Sequence, residues 1–560
     1  MSIIYKKTQR WTFMILMGFF VTYGAKAQSD NTGERRVTGT YIISNANVIS
    51  PSGKLLPNTS VLVRNGIIAG VGSNIRIPAN AQEIKGDSLF VYPGFIDGGS
   101  SAGITKPKDP ERPSNFNSSS PPDEIAGITP YRNAVDQFDT QSSQVSDWRK
   151  IGFTMAQILP DGGMLPGKTA LVVFGEKGST NVYSENTALY ATFNSSRGMY
   201  PGTLLGVMAK FRNLYRNAEL SSRHSALFAS NQGINRPERD KVMEAFYPTL
   251  DQGLPILFAV EDDLTVRRAL SLQKELGFKM ILSGAADVQE IIPLLKESQT
   301  SVFLSLNLPD DKASKIKDNE ESDTERKERI ERVKNAYKKS LEEAGKFEEA
   351  GIPFGFTTQG IKSGDLMKNI RLMIENGLSE EAALAALTIN SARILGIDRY
   401  AGTIEQGKLA NLVVTTDSLF KEDSQVKHVF ADGYLFDYDT KAKRDKSESD
   451  EDVDLAGTWE YVARSPQGES EGIMVITKEG EAYSGEITLD NPAGSGQITT
   501  AMNNIEYSDN RLRFEFSIDV GGNFLTFSVS GDIDGNEFDG DLSVTDLGSF
   551  PFKATKQPGA

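Results

Sequence analysis

The chain has 560 residues, with 60 Lys and Arg against 75 Asp and Glu for a formal net charge of −15; it has two histidines and no cysteine. Without cysteine there is no disulfide, no thiolate metal site, no cysteine nucleophile and no lipid attachment through sulfur. An acidic surface repels phosphate backbones, which excludes nucleic acid as a partner, and the length provides for two or three domains.

Lys6, Lys7 and Arg10 open the chain, residues 11–25 form an uncharged, mostly apolar run, and Ala25-Lys26-Ala27 puts small residues where a signal peptidase inspects. Residues 1–27 therefore read as a signal peptide, and the protein as exported to the periplasm or secreted. The apolar run is shorter than the roughly 20 residues that span a bilayer. No later run is longer, so no membrane association is expected after cleavage. The segment carries four basic residues and no acidic one, so its removal takes the charge from −15 to −19.

After a polar lead-in, residues 41–48, 60–64 and 67–71 read as strands, the last two joined by Asn65-Gly66, a pair suited to the positive φ of a two-residue hairpin turn. From Tyr92 short apolar runs (154–159, 255–260, 279–282, 301–306, 353–357) alternate with stretches of helical spacing (264–276, 288–295, 380–395). Such alternation argues for a parallel sheet closed into a barrel. Residues 106–123, rich in Pro, Ser and Asn, read as a long loop, and the charged stretch 310–343 as a solvated helix with a disordered start. Strands return at 412–415, 426–431 and 434–437, around an Asp432-Gly433 turn. Residues 441–454, charged and poor in apolar side chains, mark a linker. Beyond it, Phe514, Phe516 and Ile518, then Leu525, Phe527 and Val529, alternate with polar or small residues, and turns such as Asp509-Asn510 and Asp534-Gly535 separate the runs. This predicts an antiparallel sandwich or small barrel of about 100 residues. The expected domains are a composite β-domain from 37–92 and 400–440, a barrel over 93–399, and a C-terminal all-β domain over 455–560.

Three motifs mislead. Gly162 to Thr169 satisfies the phosphate-loop pattern, but that loop needs a helix starting at its lysine, and the β-branched run after Lys168 reads as a strand. Gly99-Ser100-Ser101-Ala102-Gly103 satisfies the nucleophile-elbow pattern, but Ile104-Thr105-Lys106-Pro107 follows where a helix is required. His428 lies in a late strand, at an expected edge or surface position, and His224 in a polar stretch with no acidic residue beside it; a structural or solvent-facing role is expected for both.

Val91-Tyr92-Pro93-Gly94-Phe95-Ile96-Asp97, taken with residues 61–72, resembles the entry to the amidohydrolase superfamily, in its imidazolonepropionase and dipeptidase-like branch. Gly152-Phe153-Thr154 and Leu159-Pro160-Asp161-Gly162 resemble that branch's second strand and glycine-rich loop. Residues 378–392 resemble its last barrel helix, and 402–414 its return to the β-domain. The resemblance covers residues 41–436. It implies a (β/α)8 TIM-like barrel with a composite β-sandwich domain, and one or two divalent metals at the C-terminal mouth that turn bound water into hydroxide near neutral pH. The ligands it implies are a His-x-His pair after the first strand, histidines on two middle strands, often a bridging carboxylated lysine, and an aspartate after the last strand.

Here the His-x-His pair aligns with Gly99 and Ser101, the middle histidines with Phe258 or its neighbour and with Gly284, the lysine with Val173, and the aspartate with Gln359. A zinc site wants at least three nitrogen, sulfur or carboxylate ligands, and neither histidine stands at any of these positions. Asp97 and Glu261 are the polar groups expected near the mouth. A carboxylate-only site for a hard ion such as calcium, from Asp97, Glu261, Asp262 and Asp263, competes with a solvated acidic turn. The expectation is a non-catalytic relative without metal or cofactor, its mouth closed or holding a small polar molecule, serving as binding or assembly partner of an active paralogue or of a second copy. The competing expectation is a hydrolase of amide, peptide or cyclic-amide C–N bonds, acting through Ser101 or through ligands from a partner subunit.

Overall fold

The computed structural model describes residues 39–557 apart from 51, 109, 113–115, 177–180, 232, 313–322, 441–453, 466–467, 480–481, 491–495, 509–510, 521–522 and 545–547. The expected signal peptide, the start of the charged stretch, nearly all of the expected linker and the Asp509-Asn510 turn lie outside the described residues.

Strands are numbered in chain order. The first sheet combines β1 (Thr40–Ile49), β2 (Leu55–Arg64), β3 (Ile67–Gly72), β4 (Gln82–Lys85) and β5 (Phe90–Pro93) with β14 (Leu412–Thr415), β15 (Val426–Ala431) and β16 (Tyr434–Asp437), in the order β16-β15-β14-β5-β1-β2-β3 with β4 beside β1. Asn65 and Gly66 take φ of 52° and 74°, and Asp432 and Gly433 take 52° and 80°, as two-residue hairpin turns demand. The two tips touch: a Cβ on Gly66 would stand 3.1 Å from the Gly433 Cα.

The second sheet runs in sequential order through β6 (Phe95–Ser100), β7 (Phe153–Ile158), β8 (Gly167–Val173), β9 (Val182–Ala191), β10 (Ile256–Ala259), β11 (Met280–Ala285), β12 (Ser301–Ser305) and β13 (Phe354–Thr357). It departs from the expected all-parallel barrel at one strand, because β8 is antiparallel to both of its neighbours. Only residues 159–166 and 174–181 connect β8 to its neighbours, and a parallel crossover needs about a dozen residues or more, so the chain reverses. β13 lies beside β6, which brings the ring nearly to closure.

Helices pack around this ring: α1 (Ser143–Ile151), α2 (Leu204–Ser230), α3 (Lys241–Leu250), α4 (Asp263–Leu276), α5 (Ile292–Ser298), α6 (Asp323–Glu349), α7 (Leu366–Glu375), α8 (Glu380–Leu387) and α9 (Ile389–Ile394). The ends of α4 are written locally: Asp262 and Thr265 form a capping box, and Gly277 closes the helix at φ 77°. The helix expected over 380–395 is two, because Thr388 takes φ −129° and ψ −93° between α8 and α9. Sequence patterning missed α2, although Val207, Phe211, Leu214 and Ala218 bury one face at helical spacing.

The remaining strands, β17 (Gly457–Ser465), β18 (Gly468–Glu479), β19 (Ala482–Asp490), β20 (Gln497–Ser508), β21 (Arg511–Val520), β22 (Asn523–Asp534), β23 (Glu537–Val544) and β24 (Gly548–Lys556), form a closed antiparallel barrel. Of the two forms expected, the barrel is the one adopted. Its interior is packed with side chains, among them Trp459, Tyr461, Met474, Phe514 and Phe552.

Candidate functional site at the mouth of the large barrel

Successive strand residues face opposite sides of a sheet, and β10 sorts its residues accordingly. Leu257 joins Leu159, Ala188, Tyr190, Ile281 and Phe303 inside the barrel, with Ala259 packed against them. Phe258 faces the helices instead, its ring 4.7 Å from Phe193 and 5.8 Å from Phe211 of α2. The inward residues are therefore the neighbours of Phe258, Leu257 and Ala259, and not Phe258 itself. Val173 needs a larger correction. It pairs with Met155 low on β7 and clusters with Ile96, Leu171, Val429 and Ala431 against the first sheet, away from the mouth. The reversal of β8 puts that strand's last residue toward the opposite end of the barrel.

The centre of the ring is filled by Phe303, which is fully buried. A Cβ on Gly98 would stand 2.1 Å from its ring and one on Gly355 2.6 Å, so β6 and β13 both need glycine there to admit the aromatic group. Gly99 is enclosed as well: a Cβ there would meet the Ser283 Oγ at 2.9 Å, the Thr357 Oγ1 at 3.0 Å and the Leu159 Cδ1 at 3.2 Å. The space in which a side chain at 99 would extend is occupied by neighbours from β11, β13 and the end of β7.

Nearer the mouth the lining is neutral and polar. Gly284 takes φ 86°, and a Cβ on it would stand 3.9 Å from the Gln359 Oε1. Gln359, which is exposed, donates through Nε2 to the Tyr190 hydroxyl at 3.4 Å. Burial pushes the Tyr190 phenol up to about 12, so it is protonated at any ordinary pH. The Ser283 hydroxyl is buried and has no hydrogen-bond partner among the described residues. Gly99, Gly284 and Gln359 thus converge, through Ser283 and Thr357, on one region.

Asp97 sits beneath this region and is 1% exposed. Its carboxylate accepts the backbone N–H groups of Gly99 at 2.9 Å and Thr358 at 3.0 Å, and the Thr358 hydroxyl. The Thr357 hydroxyl donates to the Gly99 carbonyl at 2.5 Å. These bonds join β6 to β13 where no strand ladder does. Burial pushes the Asp97 carboxyl up to about 6 against the hydrogen bonds that favour its charged form. Asp97 is therefore a seam residue and not a pocket group, which corrects its expected role.

The other candidates lie apart. Ser101 is exposed, and its carbonyl accepts the Ile104 N–H at 3.0 Å in a turn, with no helix after it. Glu261 is exposed, Asp262 caps α4, and Asp263 pairs with Arg267 at 2.5 Å, so these three carboxylates serve a helix start. The His224 Nε2 lies 3.0 Å from the Asn235 carbonyl, and the His428 Nδ1 2.6 Å from the Asp437 Oδ1. β15, which carries His428, runs between β14 and β16 and is not an edge strand. Lys168 belongs to β8, so the phosphate-loop pattern opens a strand.

A divalent centre of the kind the resemblance implies does not fit these residues. Of the first-strand positions Gly99 is closed off by Ser283, Thr357 and Leu159 and Ser101 is an exposed hydroxyl, the inward groups on β10 are the apolar Leu257 and Ala259, and no group of three or more His, Cys, Asp or Glu gathers among the described residues. Phe303, Tyr190, Ser283, Thr357 and Thr358 carry this arrangement. Sequence reading missed all five, since neutral residues on inward strand positions form no motif.

Residues 292–435 match the Amidohydrolase family. Over 103 residues the chain is 35% identical to adenine deaminase 2 of Jannaschia sp. (strain CCS1), a stretch that is 17% of this chain and 16% of that one. An amidohydrolase structure from Thermotoga maritima MSB8 superposes with a TM-score of 0.59 at 21% identity, covering 71% of this chain and all of the other, a likeness of fold. A putative prolidase from Bifidobacterium longum gives a TM-score of 0.41 at 17% identity, over 73% of this chain and 97% of its own.

Proposed function

We propose that this chain, a member of the amidohydrolase family, is a non-hydrolytic relative that has exchanged its metal centre for a packed barrel interior, and that it is exported to act as a binding or assembly partner. The observation that carries the reading is the Phe303 ring wedged between Gly98 and Gly355, with Ser283 and Thr357 closing the space beside Gly99. A metal site needs ligands around an open position, and these residues supply neither. The relatives it matches are hydrolases by description, so what has changed is the site and not the scaffold.

The neutral mouth formed by Tyr190, Ser283 and Gln359 suits a small polar molecule, since such groups orient a ligand by hydrogen bonds without needing a counter-charge. An active paralogue or a second copy of this chain is the assembly partner we favour. Ser101 lies in an exposed turn with no helix after it, which lends the serine-hydrolase alternative no support of its own.

The test is direct. Protein recovered from the periplasm or medium should carry well under one equivalent of zinc, iron or manganese by elemental analysis. It should leave a panel of dipeptides and cyclic amides unhydrolysed with zinc supplied, and so should the Gly99→His/Ser101→His double variant, because two ligands do not define an open tetrahedral site. Stoichiometric metal with zinc-dependent turnover would sink the reading. Turnover abolished by Ser101→Ala would replace it with the serine mechanism.

A further inference from the structure

The segment that leaves the mouth also carries the C-terminal barrel. Three residues after Gln359 the Lys362 Nζ lies 3.2 Å from the Glu515 Oε1 of β21 and donates to the Ser528 Oγ of β22 at 2.7 Å. Ser528 is 7% exposed and its hydroxyl donates in turn to Glu515 at 2.8 Å, while the Asn504 Nδ2 donates to the other Glu515 oxygen at 3.0 Å. One turn on, Asp365 accepts from Arg513 of β21, both side chains about a quarter exposed. One turn further, the Lys368 Nζ of α7 stands 3.9 Å from the Glu506 Oε2 of β20.

Along the large barrel the charges read plus, minus, plus at spacings of three residues. Across from them the C-terminal barrel reads minus, plus, minus. A slip by one step in either direction would set like charges face to face. The margins oppose docking: Asp147 of α1 stands near enough to Asp541 of β23, and Arg371 of α7 to Arg511 of β21, for each pair to repel. Net attraction is therefore modest while register is sharply selected, and that is what alternating charges do best.

We propose that Lys362, Asp365 and Lys368 form a charge-coded docking surface whose partner is this chain's own C-terminal barrel, and that it fixes that barrel as one wall of the mouth. Gln359 and Lys362 are three residues apart, so their Cα atoms lie within about 11 Å of each other. A body clamped at Lys362 therefore limits what can approach Gln359. The inference does not depend on whether the mouth is catalytic, since it concerns which surface borders it.

A zero-length carbodiimide, which joins an amine to a carboxylate only where they touch, reads this contact in the full chain. Peptide mapping should find Lys362 joined to Glu515 and Lys368 joined to Glu506, within one chain, in dilute protein at low salt. In Arg513→Glu the yield should fall roughly fivefold or more, and raising sodium chloride should lower the wild-type yield too, because ion pairs of this exposure are screened. The charge-swapped Asp365→Arg/Arg513→Glu variant should regain most of the yield, which separates loss of docking from loss of folding. Three outcomes would each overturn the proposal: links absent from wild type, links indifferent to Arg513→Glu, or links running between chains in an isotopically mixed sample.

Discussion

The two barrels of this molecule close in different ways. In the C-terminal barrel β17 and β24 meet as an ordinary antiparallel ladder, from Trp459 opposite Lys556 to Ala463 opposite Phe552. In the large barrel β6 and β13 are tied by the Asp97 carboxylate and the hydroxyls of Thr357 and Thr358. A ladder spreads closure over many backbone groups that every residue type supplies, so its seam tolerates substitution. A side-chain seam concentrates closure in a few atoms, and a buried acceptor that several donors share is costly to remove.

Three experiments would break or sharpen this contrast. The largest effect is expected at Phe303: Phe303→Ala should cost about 3–5 kcal/mol, the usual penalty for emptying a buried aromatic site. Gly98→Ala should cost about 1–3 kcal/mol by overpacking against the same ring. Combined, they should cost less than their sum, because the new methyl group enters the space that the ring vacates. Urea denaturation followed separately for the two domains reads this, with the C-terminal transition unmoved. Strict additivity would mean that the ring and the glycine are not in contact.

At the seams themselves, Asp97→Ala should cost about 3 kcal/mol by stranding the N–H groups of Gly99 and Thr358 and the Thr358 hydroxyl. Lys553→Ala, beside the ladder seam and exposed, should stay within about 0.5 kcal/mol. Equal effects at the two sites would remove the distinction drawn here.

The smallest effect is on pH dependence. Burial raises Asp97 to about 6 and Glu343, which accepts the N–H groups of Asp287 and Val288, to about 7. Both lie above their values in an unfolded chain, so between roughly pH 4 and 7 the folded state binds more protons than the unfolded one. Their contribution to stability is thus fully present at the acid end of that window and lost as pH rises through 6 and 7. The large-barrel transition should sharpen and move up in temperature from pH 8 to pH 5, and Asp97→Asn with Glu343→Gln should flatten that trend. Below that window Glu124, Glu275 and Glu405, whose carboxyls are held low by hydrogen bonds from Arg132, Arg212 and Thr403 respectively, work in the other direction.

What was legible in the sequence followed from periodicity and turn chemistry. Asn65-Gly66 and Asp432-Gly433 announce their hairpins because few other pairs accept positive φ twice, and the alternation of Phe514, Phe516 and Ile518 announces an inward face. The site was legible only by subtraction, as a set of missing ligands. Phe258 shows why: a one-residue uncertainty in alignment exchanges the two faces of a strand. Val173 shows another limit, since nothing local in residues 167–173 says whether that strand runs up or down; the small number of residues that connect it to its neighbours does. Phe303 could not be singled out, because its meaning lies in Gly98 and Gly355, which are distant in sequence and adjacent only in the ring.

The wedge at Phe303 also makes this interior hard to alter one residue at a time. A histidine arriving alone at 99 would collide with Ser283, Thr357 and Leu159, and any side chain at 98 would strike the Phe303 ring, while removing that ring first leaves a void at the barrel centre. At positions 98, 99 and 303 each single substitution is thus a loss, whichever is made first. The interior works as an interlock: the ring, its two glycines and the neighbours of residue 99 can be exchanged together far more readily than one at a time.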